Sequence, residues 1–394
     1  MRRRPGNAAV STAETPIHTL QLGLGWFPEE AGGINRTYYG LLSHLPQSGV
    51  EVNGLVAGSS WATRDSGGRV RAFAPAGESL LIRWRALRRE LRRMLDERQP
   101  DLVASHFALY TLPVLDLIRS YSLVIHFHGP WALESRVEGA RVLTTRVKTL
   151  LEKTVYRRGT RFIVHTRAFH DILHLHYRVP AEHIRVIPAG IDVHRFAIDL
   201  SQQAARERLG WPLDRPILLA VRRLVRRVGL ENLVVAMGRV RKRVPEALLL
   251  VAGVGPLAEA LWDRVKSLEL ANNVRLLGFV PDQDLPIAYR AANLTVVPST
   301  ALEGFGLPIV ESLAAGTPPL VTPVGGSPEV VRDLSPELVL PATGAGPLSE
   351  GLVAALTGGL PLPSAEACQA YARARYDWPL IAARVRGVYS EALR

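Results

Sequence analysis

Apolar runs of strand length alternate with helix-period stretches along most of this chain. In the first half the runs fall at 19–25, 50–57, 102–105, 123–127, 161–165 and 184–187. Longer stretches with helical spacing separate them, among them 34–45, 80–98 and 142–158. A strand regularly followed by a helix predicts a parallel sheet covered by helices on both faces. Pro188-Ala-Gly190 closes the series, and a polar segment at 199–208 follows. A second series starts at Pro216, with strands at 217–221, 247–252, 274–277, 294–297 and 319–322. Its helices begin near Gly229, Pro256, Asp282, Gly306 and Ser327. The simplest solution is α/β: two doubly wound parallel sheets in tandem, 17–195 and 196–377, with ligands beyond the carboxyl ends of the strands.

Composition agrees with two domains. A chain of 394 residues exceeds one ordinary core, and 47% hydrophobic content excludes global disorder. No apolar run approaches the ~18 residues of a membrane span. Residues 1–16 are charged at the start and lack an apolar core, so they read as a flexible tail and not a secretory signal. The single cysteine, Cys368, excludes an intramolecular disulfide framework. The cytoplasm is the expected compartment.

The net charge of +12 is carried largely by arginine, most densely over 83–98. There Trp84, Leu87, Leu91, Met94 and Leu95 share one helical face and arginines cover the rest. A solvated basic face on a sheet-packed helix is the plain reading. A peripheral contact with an anionic membrane is the functional one, because the excess charge has no partner readable in the sequence. Nucleic acid is not expected as a partner, since no aromatic-interleaved strand or zinc-module spacing accompanies the charge.

The segment 302–316 carries the most chemistry. Glu303 and Glu311 stand eight positions apart around Gly304-Phe305-Gly306-Leu307. The glycines let backbone approach a ligand, and a helix opening near Leu307 offers unpaired N–H groups that favour a phosphate. Arg222-Arg223-Leu-Val-Arg226-Arg227 directly follows the first strand of the second series, and so many guanidiniums together call for an anion such as a diphosphate. His126 and His128 share one face near a strand's carboxyl end. For His126 a satisfied core position is the ordinary reading. His128, before a glycine turn, is placed to bond a sugar hydroxyl or to steady charge.

Two tempting metal patterns have plainer readings. Asp282-Gln-Asp284 is read as a helix cap. His170 and His174 lack a third ligand. No metal site is expected.

Six segments in this order resemble the retaining glycosyltransferases of family 4, over roughly 17–390. They are Gly32-Gly33-Ile34, His126-Phe-His128-Gly-Pro-Trp131, Pro188-Ala-Gly190-Ile-Asp192, Arg223-Leu-Val, Val251-Ala-Gly253-Val-Gly255-Pro256 and the Glu303 segment. The resemblance implies two Rossmann-like domains facing a cleft (GT-B), with the final helix over 378–394 crossing back to the first. It implies hexose transfer from a nucleotide-diphosphate sugar to a hydroxyl acceptor, with no cofactor and no metal. Glu303, His128 and Arg223 become the catalytic residues. Gly32, Gly33, Gly253, Phe279, Val280, Gly304, Phe305, Gly306, Leu307 and Glu311 join Arg223 around the donor, and Asn35 and Trp131 lie on the acceptor side. The lysine usual before the following glycine is Val228 here, so Arg226 or Arg227 must supply its charge. A lipid-linked acceptor would place the enzyme at the inner face of the membrane. The rival expectations are a nucleotide-sugar 2-epimerase and a non-catalytic, membrane-recruited sugar-binding protein of the same fold.

Overall fold

The computed structural model describes residues 15–27 and 29–394, so most of the 1–16 tail lies outside it. The first sheet contains β1 (Ile17–Leu22), β2 (Val50–Ala57), β3 (Val70–Ala74), β4 (Leu102–Ser105), β5 (Ser122–Phe127), β6 (Arg161–Val164) and β7 (Ile184–Val186). All seven are parallel, in the order β3-β2-β1-β4-β5-β6-β7. The second sheet holds β8 (Ile217–Val221), β9 (Leu248–Ala252), β10 (Val274–Gly278), β11 (Leu294–Val297) and β12 (Pro319–Val321), in the order β10-β9-β8-β11-β12 and again parallel.

Helices cover both faces of each sheet, which is why the strands read as unbroken apolar runs. In the first domain Leu20, Val103 and Ile125 pack on one side, while Val52, Ala104 and Val124 pack on the other. The order of strands reverses its walk across each sheet between β1 and β4 and between β8 and β11. Such switch points open a crevice at the carboxyl ends. Strand β3 was not predicted. It is a short edge strand whose Arg71 pairs with Glu90 and Glu97, so it lacks the apolar density of the central strands.

The last helix, Trp378–Ala392, packs in one cluster with Leu41, Leu42, Val50 and Val124 of the first sheet and its helices. Trp378 is wedged where a Cβ on Gly40 or Gly190 would come within 2.0 or 2.3 Å of its ring. At the far end Ser122 Oγ donates to the Ala392 carbonyl at 2.7 Å, and Arg185 pairs with Glu391. The two chain crossings between domains run side by side, since Ile191 N donates to Tyr376 O at 2.8 Å and Ile191 bridges Asp377.

The arginine helix, Leu80–Glu97, packs through Leu87, Leu91 and Met94 as expected. Its charge is less free than the sequence indicated. Arg88 pairs with Asp116, Arg93 with Glu97, and Arg98, just past its end, with Glu51 at 2.6 Å.

Candidate active site

The carboxyl ends of both sheets open on one interdomain cleft of about 440 Å³. Gly33, His128 and Trp131 line it from the first domain; Arg223, Arg227 and the turn from Glu303 to Leu307 line it from the second. Two helices begin at the cleft, Gly33–His44 and Leu307–Ala314, and no side chain caps either start. They meet closely: a Cβ on Gly33 would lie 3.8 Å from Leu307 Cδ1. Two unsatisfied helix N-termini facing one space create a strongly anion-favouring spot. Gly306, at φ 79°, supplies the left-handed turn that launches the second helix.

Glu303 is buried, and its Oε2 accepts from Arg222 and from Ser299 Oγ at 2.6 Å. Arg222 also donates to Ser299 at 3.1 Å. Burial by itself pushes the Glu303 carboxyl up, but the Arg222 guanidinium and the Ser299 hydroxyl outweigh it and hold the group below its ordinary range. Glu303 therefore carries charge, and its Oε1 has no hydrogen-bond partner among the described residues.

The arginine run divides its work. Arg222 turns inward to Glu303, Arg223 stands exposed at the cleft, and Arg226 is exposed but off the cleft wall. Arg227 lines the cleft, donating to Leu302 O at 3.3 Å, with Glu134 at 3.7 Å and Glu138 at 3.9 Å. Glu138 also accepts from the backbone N–H groups of Arg226 and Arg227. The carboxylates of Glu303, Glu134 and Glu138 thus supply part of the neutralisation that the sequence assigned wholly to a ligand. Of the two arginines expected to replace the lysine, Arg227 is the one at the cleft.

Other expectations need revision. Asn35 is buried, accepting from Gly25 N at 3.0 Å and donating to Glu30 O at 3.0 Å, so it ties the loop after β1 and does not face an acceptor. Asp284 sits at the start of the Leu285–Ala291 helix without capping it through its side chain. Asp282 pairs with Arg36 and Arg195 instead. Glu311 lies buried behind the cleft wall; Tyr289 donates to its Oε2 at 2.8 Å, and Arg36 comes within 3.7 Å of Oε1. At Gly253 a Cβ would reach 1.9 Å from the Arg222 carbonyl, so backbone packing accounts for that glycine. Gly32 and Val280 lie off the cleft wall, and Phe279 stands 63% exposed.

His126 is the satisfied core histidine expected, with Nε2 2.8 Å from Tyr389 Oη. His128 is not free to bond a sugar hydroxyl at the same time as its protein partners. Its Nε2 lies 3.1 Å from His106 Nδ1 and its Nδ1 lies 3.3 Å from His165 Nε2. His106 and His165 were missed in the sequence. Each stands immediately after a parallel strand, β4 and β6, on either side of the strand that carries His128.

Glu152 also reaches the cleft, accepting from Tyr177 Oη at 2.7 Å and Ala132 N at 3.2 Å. Burial raises its carboxyl from 4.5 to about 7. The folded protein therefore keeps a proton that the unfolded chain loses between pH 4.5 and about 7, and stability falls as pH rises through that window. Glu152→Gln keeps an acceptor for both donors while removing the charge. Its melting temperature is expected to exceed wild type by several degrees at pH 8 and to match it near pH 4.5. An equal difference at both values would show that the carboxyl is already ionised in the acid range.

Models of two families match consecutive parts of the chain: "Glycosyltransferase Family 4" over residues 31–195 and "Glycosyl transferases group 1" over 201–375. Together with the two-sheet architecture they define the class, and the chain belongs to the family 4-type glycosyltransferases of GT-B fold. Among relatives, mannosylfructose-phosphate synthase of Agrobacterium fabrum is 36% identical over 44% of this chain and 40% of its own. D-inositol 3-phosphate glycosyltransferase of Corynebacterium kroppenstedtii is 29% identical over 83% of this chain and 76% of its own. A GDP-mannose-dependent phosphatidylinositol monomannoside mannosyltransferase of Mycolicibacterium smegmatis is 34% identical over 39% of this chain and 42% of its own. The match thus spans about two fifths of the first and third of these relatives. Among solved structures, the sucrose-phosphate synthase of Thermosynechococcus elongatus superposes with a TM-score of 0.77 at 21% identity, covering 95% of this chain and 99% of that one. Anabaena Alr3699/HepE in complex with UDP and glucose gives 0.77 at 20%, covering 95% and 100%. At that identity the two structures establish the shared fold.

Proposed function

We propose that the protein transfers a hexose from a nucleotide-diphosphate sugar to a hydroxyl acceptor, with retention of configuration and without a metal or cofactor. The observation that carries this reading is the convergence of two uncapped helix starts with Arg223 and Arg227 on one space, with ionised Glu303 beside it. The diphosphate occupies the helix starts and the arginines. These stabilise the charge that concentrates on the departing phosphate, where preorganised donors act most strongly. Glu303 Oε1 receives hydroxyls of the hexose. His128 steadies charge under the sugar, and Trp131 walls the acceptor side. In the retaining mechanism the acceptor attacks on the leaving-group face and the departing phosphate takes its proton, so no protein nucleophile is needed.

The test is thermal stabilisation by UDP, GDP and ADP and their sugars, followed by assay of nucleoside diphosphate release with acceptor mixtures in EDTA. A bound nucleotide raises the melting temperature by mass action. Turnover of a nucleotide-sugar without any acceptor to a 2-epimer would favour the epimerase. Complete inhibition by EDTA, restored by a divalent metal, would overturn the metal-independent mechanism.

A lipid-linked acceptor fits one further feature. On the Val142–Tyr156 helix Val142, Leu143, Val147 and Leu150 are each 57–73% exposed, with Arg141, Arg146 and Arg157 around them. An apolar stripe set among basic residues suits an anionic bilayer, where each arginine contributes about 1 kcal/mol. This face pairs apolar with basic side chains, whereas on the arginine helix Arg88 and Arg93 are already paired with carboxylates. The protein is expected to float with anionic vesicles at low salt, less at high salt, and to lose most binding on Leu143→Asp with Val147→Asp. Flotation that survives this double substitution would move the contact elsewhere. No helix among the described residues is long and apolar enough to cross a membrane.

A further inference from the structure

Three histidines from three adjacent strands form a hydrogen-bonded row across the floor of the cleft. His106 follows β4, His128 follows β5 and His165 follows β6. The His106 and His128 rings are nearly coplanar, 20° apart with centroids at 5.3 Å, as an in-plane N–H···N bond requires. The row ends on an oxygen at both sides. His165 Nδ1 lies 3.1 Å from the Ile187 carbonyl, and His106 Nε2 lies 3.0 Å from Gln21 Oε1.

The protons follow from these ends. A carbonyl only accepts, so His165 carries its proton on Nδ1. The orientation of Gln21 is set by Thr19, whose hydroxyl donates to Glu51 O at 3.1 Å and so can only accept from Gln21 Nε2 at 2.9 Å. The amide's other N–H goes to Tyr389 Oη at 3.2 Å. Oxygen therefore faces His106, which carries its proton on Nε2. As neutral imidazoles, both neighbours then present a bare nitrogen to His128. Four links need four protons, and three neutral imidazoles bring three.

We propose that His106 and His165 are positioning residues that make His128 a proton acceptor, and that His128 takes up one proton from solvent when a nucleoside diphosphate enters the cleft. The deficit of one proton is removed when His128 becomes an imidazolium donating to both neighbours. The charge is then held on the wall of the cleft that the Glu303–Leu307 turn also lines, and the neighbouring His165 ring lies 5.8 Å from that of Phe305. Without a ligand, burial and then His165 and His126 hold His128 well below the ordinary imidazole range, so it is neutral near pH 7. A diphosphate's negative charge reverses that balance. The inference rests on the donor-site reading above.

Of the other groups around the row, the Glu152 carboxyl is the one whose range reaches pH 7. His126, stacked at 4.3 Å on His106, is neutral because burial lowers it to about 3. Tyr38 meets His106 edge-on, and Tyr389 is engaged by Gln21 and His126. Across the cleft Glu303 is paired with Arg222, and Arg227 with Glu134. Glu152, raised to about 7 and lining the same cleft, can also gain a proton near pH 7, so uptake that belongs to His128 is expected to persist in Glu152→Gln, and its loss there would overturn the proposal.

Calorimetry of UDP, GDP and ADP binding in buffers of different ionisation enthalpy reads the proton directly. Uptake of nearly one proton per bound nucleotide is expected at pH 7–8, with affinity falling by up to roughly tenfold per pH unit as pH rises. His106→Leu should abolish the uptake, and His106→Gln, which can accept from His128 while donating to Gln21, should restore much of it. Nucleotide binding with no proton uptake in wild type would overturn the proposal. Imidazole ¹⁵N spectra of the ligand-free wild-type protein supply a second readout. The expected tautomers are Nδ1–H at His165 and Nε2–H at His106, and the opposite tautomer at either would also overturn it. That arm stands if none of the three nucleotides binds, an outcome that would count against the donor-site reading instead.

Discussion

Glu303→Gln is expected to lower turnover by about 100-fold or more while changing nucleoside diphosphate affinity by no more than a few fold, the size of effect seen when one charge-stabilising group leaves an active site. The substitution keeps the shape of the side chain and its acceptor for Ser299. It removes the negative charge that balances Arg222 in a buried position. Breaking one side of a buried pair costs about 3–5 kcal/mol, so the melting temperature should fall as well, and assays belong well below it. The two effects separate cleanly. An unpaired Arg222 beside the cleft would, if anything, attract a diphosphate, whereas the sugar loses its partner at Oε1. Equal losses in turnover and in diphosphate affinity would move Glu303 to the phosphate end and refute its assignment to the hexose.

Arg223→Ala should weaken nucleoside diphosphate binding by about 1.5–3 kcal/mol, a factor of roughly 10 to 150, with almost no change in melting temperature. The guanidinium is exposed at the cleft and makes no ion pair among the described residues, so its removal leaves no orphaned partner. Arg227→Ala should cost less, because Glu134 and Glu138 already share that charge. Arg226→Ala should cost nothing measurable. Titration calorimetry of the three variants at fixed salt checks the ranking. Equal, negligible losses at Arg226 and Arg227 would mean that Val228 marks a real gap in the clamp.

Much of the fold could be read from the chain because central parallel strands are buried on both faces and announce themselves as short apolar runs. β2, β4, β8 and β11 fall where that signal placed them. β3 escaped because an edge strand needs only one buried face and tolerates Arg71. Glycine-bounded segments betrayed the site equally well: Gly33, His128, Trp131 and the turn after Glu303 all reach one cleft. Pairing between distant side chains stayed hidden. Nothing near Arg222 in sequence reveals Glu303 as its partner, and Asn35 looked like a ligand residue beside two glycines although it serves the loop behind them. His106 and His165 were lone histidines until the strand order put them on either side of His128.

The paired crossings at Ile191 and Asp377 have a mechanical consequence. A domain joined by one strand of chain can tilt and spin freely, but two strands laid abreast and tied by the bond from Ile191 N to Tyr376 O resist being twisted against each other. They can still flex together about a line drawn across both. The joint therefore works like the pin of a door, with Trp378 seated against Gly40 on one leaf and Gly190 at the pin. A rotation about that pin would carry the start of the Gly33–His44 helix away from Leu307 along one arc, so the two faces would return in the same register.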